Sequence, residues 1–237
     1  MALSSAQPYL CCVIRLRAIQ QILQWEWALE YRRSNGWFLP LLFAAMVGYL
    51  CSLLVREPSP TVWLALLWMT MVFSALQTAL RSFAATPGQW LYLNQLVAPT
   101  ELLIGKTMTT ALNCLLVTWT SLALFSLWLG WPHLPEQMGQ VPLWPFVVSL
   151  SLGAIALSST LSFTAALASK IERGTGIMAV LSIPLLLPTL LIAVRASKLA
   201  LLGEPLSNLY PNWAGEILMA GLPLALGALL FPYLWRS

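Results

Sequence analysis

Six stretches of this chain are each about as long as the roughly 20 helical residues that cross a bilayer's hydrocarbon, and together they hold one ionisable acid. They are Trp37–Leu54, Thr61–Leu80, Thr107–Leu129, Pro145–Ala168, Ile177–Ala193 and Trp213–Leu234, and the acid is Glu216, near the outer end of the last. The apolar residues run continuously instead of alternating, which predicts helical spans and not a barrel. Composition agrees. The chain is 59% hydrophobic and 8% charged, against about 45–50% and about 25% in soluble domains, and a water-soluble fold of this size could not bury that much apolar surface. Residues 1–36 form an N-terminal segment and 37–237 a six-span domain. Tyr9–Ile14 is too short for the apolar core of a removable signal peptide.

Lys and Arg number 12 and acids 8, all of them Glu. The excess is spread along the chain, so nucleic acid is not an expected partner. With the N-terminus cytoplasmic, Arg15, Arg17, Arg32, Arg33, Arg81, Lys106, Lys170, Arg173 and Arg236 lie inside, and Arg56, Arg195 and Lys198 outside. This bias places both termini in the cytoplasm. Trp37, Trp128, Trp131, Trp144, Trp213 and Trp235 fall near span ends, as interfacial indoles do; the outer Trp128, Trp131 and Trp144 also admit a ligand-stacking reading.

Before the first span, Ile14, Ala18, Ile22, Trp25 and Leu29 make one apolar stripe at helical spacing. Glu26 and Glu30 stand one turn apart, with Arg33 placed for local pairing, and Ser34-Asn35-Gly36 breaks the helix. The segment reads as an amphipathic elbow on the cytoplasmic surface, or as a plain extension of the first span. Between spans two and three, Thr86-Pro87-Gly88 precedes Gln89-Trp90-Leu91-Tyr92-Leu93-Asn94-Gln95-Leu96, a short interfacial helix able to receive force from a soluble motor, or a linker anchored in lipid by Trp90 and Tyr92. A second cytoplasmic loop, Ser169–Thr175, is short and charged. Outside, Ala196–Pro211, which contains Leu199–Gly203 and then Glu204-Pro205, is too short to cross and suggests a shallow surface or re-entrant helix. Pro184 and Pro188 should kink span five into a possible gate.

Catalytic chemistry is missing from the pattern. His133 is the only histidine, which leaves no His-His metal pair; it reads as a loop residue or an axial haem ligand. Without Asp, a Ser-His-Asp site cannot form. Gly105-Lys106-Thr107 resembles a P-loop tail, but Thr100 stands where its first Gly belongs. No span carries a charge at its centre, which argues against a proton-driven carrier. Cys51 and Cys114 read as small hydrophobes, and Cys11 and Cys12 receive no role.

Several strings then resemble one family: Trp25-Glu26-Trp27-Ala28-Leu29-Glu30-Tyr31-Arg32-Arg33, Gly88-Gln89-Trp90-Leu91-Tyr92, Pro99 with Leu103-Ile104-Gly105-Lys106, and Gly176–Pro184 with Pro188. From about Gln20 onward the chain resembles CcmB, the membrane subunit of the cytochrome c maturation ABC transporter, and Phe231–Arg236 is similar to the Bacteroidetes branch. The resemblance implies an ABC-2 or type V exporter-like fold in the bacterial inner membrane. It implies a homodimer paired with an ATP-binding CcmA-like subunit, alongside CcmC- and CcmD-like haem-handling proteins. ATP would sit on that partner and no cofactor on this chain, with haem or the release of a haem-loaded chaperone as the cargo question. Gly88–Leu96 would be the coupling helix. Where many family members carry acids around the loop glycine, Ala84, Ala85, Pro87 and Gln89 stand here, so an apolar ATPase contact through Trp90, Leu91 and Leu93 is expected. The alternatives are an ABC-2-type exporter of a lipid or drug-like molecule and a non-transporting membrane scaffold.

Overall fold

The computed structural model describes residues 16–32, 35–55, 58–83, 99–132, 143–168 and 174–236, and these are helical nearly throughout. The helices are α1 (Leu16–Arg32), α2 (Asn35–Leu54), α3 (Pro60–Phe83), α4 (Pro99–Trp128), α5 (Leu143–Ala168), α6 (Gly174–Leu201) and α7 (Leu206–Arg236). Five of them, α3 to α7, are long and apolar enough to cross a membrane, and α2 holds a shorter apolar run, Phe38–Leu54. The architecture is that of an all-helical integral membrane protein.

Local chemistry sets several helix ends. Pro60 opens α3 directly after Ser59, whose carbonyl accepts the Trp63 N–H at 2.9 Å; proline suits a first turn because its missing donor is one the helix cannot use there. Pro99 opens α4 in the same way, with Glu101 in the first turn, where the helix dipole favours an acid. At the other end of α6, Gly203 adopts φ 71°. Its N–H donates to the Ala200 carbonyl at 3.2 Å and the Glu204 N–H to the Leu199 carbonyl at 3.1 Å, the paired closure that a left-handed glycine allows.

These ends correct the sequence boundaries. Helix α4 begins at Pro99, not Thr107, so Lys106 lies within it as a buried residue and not in a loop. Helix α6 runs on to Leu201 and α7 starts at Leu206. Leu199-Ala200-Leu201 therefore forms the last turn of α6, and the expected surface or re-entrant helix does not exist. Helix α1 ends at Arg32 and α2 starts at Asn35, so the expected break falls between them, with Asn35 and Gly36 in the first turn of α2. Helix α6 continues through Pro184 and Pro188, both exposed.

The centre of the bundle is α5, buried along most of its length and packed by α3, α4, α6 and α7. Its sequence suits that place, since small residues let membrane helices approach closely. Gly153 is the tightest point: a Cβ there would come 2.5 Å from Trp68 Cη2 and 3.0 Å from Ala193 Cβ. Many hydroxyls that enter this apolar core donate within their own helix, as with Ser149 to the Pro145 carbonyl and Thr160 to the Leu157 carbonyl, both at 2.9 Å, because lipid offers no replacement partner. Cys114 packs in the same core as a free, buried thiol.

Candidate functional site: a buried clamp between α1 and α4

At the end of the bundle where α3 stops and α4 starts, one lysine gathers three elements. Lys106 Nζ lies 3.0 Å from Glu26 Oε1 of α1, in a pair almost closed to solvent. The same ammonium donates to the Ser82 carbonyl in the last turn of α3 at 2.6 Å, and stands 5.5 Å from the centroid of the Phe83 ring. A lysine in this position replaces lost hydration with a carboxylate, a carbonyl and the negative face of an aromatic ring.

Backbone proximity makes the reach possible. Gly105 lies under Ile22 so closely that a Cβ on it would come 2.8 Å from Ile22 Cγ2. Ile22 and Glu26, one helical turn apart, therefore form the buried face of α1, while Trp25 and Trp27 are each 41% exposed. Of the apolar stripe, Ile22 lies on the buried side of α1 and Trp25 on the exposed side. Glu26 pairs across to Lys106 of α4.

The clamp brackets one segment. Ser82 and Phe83 precede residues 84–98, and Lys106 follows them by two turns of α4. The predicted coupling helix Gly88–Leu96 lies outside the described residues, as do Arg33, His133, Cys11, Cys12 and the side chain of Glu30. The rest of the site is legible only in three dimensions. The sequence signal at the site is Gly105-Lys106, a cation beside a close-packing glycine.

The outer tryptophans do not form one stacking cluster. Trp128 meets Tyr49, Trp131 meets Trp63 and Phe146, and Trp144 meets Trp213, with centroids 5.7 to 6.1 Å apart. Deeper in the bundle, Met71, Ala75, Cys114, Val117, Thr118, Ala154 and Leu157 line a cavity of about 10 Å³, room for about one water.

Two hydrogen bonds fix α7 to α5. Trp213 Nε1 donates to Ser149 Oγ at 2.8 Å, and Ser159 Oγ donates to the Ala220 carbonyl at 2.6 Å. Between them sits Glu216, fully buried. The sequence placed this acid near a helix end; with α7 starting at Leu206 it lies on the third turn instead.

Comparison with curated proteins finds no match for this chain. The sequence model of the CcmB protein family matches residues 17–232, from the first turn of α1 to the last of α7. With nearly the whole chain covered in that way, the protein belongs to the CcmB family, membrane components of the haem exporter of cytochrome c maturation.

Proposed function

We propose that the chain is the permease subunit of an ABC transporter, turning ATP hydrolysis by a separate CcmA-like subunit into haem delivery or release of a haem-loaded chaperone. In this reading α2 to α7 are six spans, α1 is an elbow helix on the cytoplasmic face, and both termini are cytoplasmic. Two copies assemble in the inner membrane with two ATPase subunits and with CcmC- and CcmD-like partners. Residues Gly88–Leu96 receive the ATPase stroke, and Pro184 and Pro188 mark where α6 yields.

The Lys106 clamp is the observation that carries the reading. A segment that receives force is useful only if its flanks are tied to the elements that must move. Lys106 holds the end of α3, before the segment, to α4, after it, and adds α1 through Glu26. Motion of the segment then reaches three helices together.

Affinity purification of the tagged protein from native membranes in mild detergent tests the assignment, with stoichiometric partners identified by mass. A stoichiometric ABC ATPase together with a haem-handling membrane protein is the expected result. An ATPase alone favours a general exporter, and no ATPase overturns the transporter reading in favour of a scaffold.

A further inference from the structure

Glu216 has 1% of its surface exposed, and neither carboxylate oxygen finds a hydrogen-bond partner among the described residues. It shares a helix face with Trp213 and Ala220, whose bonds to Ser149 and Ser159 turn that face to α5. The carboxyl is thus closed in by contacts one turn before it and one turn after. On the α6 side the packing is equally close: a Cβ on Gly215 would come 3.3 Å from Ile192 Cγ2.

Among the described residues the surroundings supply no counter-charge. Helix α5, which covers the carboxyl, has no ionisable side chain. Helix α6 brings Arg195 and Lys198, both exposed, in its last turns. Helix α4 brings Glu101 and Lys106, near the level where Leu103 meets Gly227, and Cys114, which faces Met71 and Ala154 across the small cavity. On α7 itself the nearest titratable group is Tyr210, exposed and in edge contact with Trp213. Lys106 pairs with Glu26, not with Glu216. A carboxylate in such a place has neither donors nor a cation to offset its lost hydration, and the neutral acid is the form that such surroundings accept.

We propose that Glu216 is a proton-binding site of the membrane domain. Its carboxyl is held as the neutral acid while α7 lies on α5, and it gives that proton to water as the two helices part. Proton binding and closure of the α5–α7 contact then favour each other, so lower pH favours the closed arrangement. The site stands independently of which cargo the transporter serves.

The test is infrared difference spectroscopy of the full-length purified protein at neutral pH, wild type minus Glu216→Gln, in light and heavy water. The expected result is one neutral carboxylic-acid carbonyl band, shifted by deuteration and lost in Glu216→Gln. Glu204→Gln, at an exposed position, serves as the control and should leave that band unchanged. Carboxylate bands in place of the acid band at Glu216 overturn the proposal. Glu216→Gln should also accumulate in membranes and unfold like the wild type, since glutamine copies the neutral shape; a variant that fails to fold overturns the proposal as well.

Discussion

Glu26 Oε1 stands 3.0 Å from Lys106 Nζ, joining a helix outside the main bundle to the start of a central one in a pair that water barely reaches. An exposed pair of this kind would be worth about 1 kcal/mol or less. Here the arithmetic changes, because either charge left alone would remain buried.

Lys106→Met should therefore destabilise the protein by about 3–5 kcal/mol, much of it from the stranded Glu26 carboxylate. Glu26→Gln added to Lys106→Met should recover a large part of that loss. Thermal unfolding of both variants in one detergent checks it, with an additive double variant as the contrary outcome.

Gly105→Ala should cost about 1–3 kcal/mol, because the new methyl would come 2.8 Å from a β-branched side chain that cannot swing aside freely. Ile22→Ala combined with Gly105→Ala should relieve the clash. The readout is the thermal midpoint of the two variants together, which should exceed that of Gly105→Ala alone.

Gly153→Ala should be the most damaging glycine substitution in the core, since the added carbon would press on both Trp68 and Ala193. Gly221→Ala, on the same bundle but with open space around it, should be neutral or slightly stabilising, by up to about 1 kcal/mol, through helix propensity. Equal midpoints for the two variants would contradict the packing described for α5.

Trp90→Asp with Leu93→Asp should abolish co-purification of the ATPase while membrane insertion stays intact. Lys106→Met should leave the ATPase bound and uncouple its hydrolysis from the membrane domain. Unchanged co-purification of the Trp90 and Leu93 variant would remove the coupling role from this segment.

The six apolar stretches are legible in the sequence because each matches a helix from α2 to α7, and lipid exposure demands continuous hydrophobicity. The helix ends are not, and two residues show why. Lys106 carries a charge that looks like a loop marker until Glu26, 80 positions away in sequence, is found to neutralise it. Leu199 to Pro205 mixes apolar and polar residues like a surface segment, whereas Gly203 followed by Pro205 is a helix stop placed two turns later than hydropathy suggests. Glu216 is visible as an odd acid, but its burial depends on Trp213 and Ala220 of α7 meeting Ser149 and Ser159 of α5. The contact face of α1 likewise follows from where Gly105 leaves room, a property of α4 that no periodicity in α1 encodes.

Helix α4 has 30 residues, which at 1.5 Å each makes a rod of about 45 Å, half again the hydrocarbon thickness. One end is gripped at Lys106 and the other packs Trp128 against Gly48. Such a rod is a lever. Pivoted near its middle, a tilt of about 5° moves each tip by about 2 Å in opposite directions, enough to unseat an indole from a glycine notch. A push at the α1 end would then be delivered on the opposite side of the membrane without any helix needing to bend.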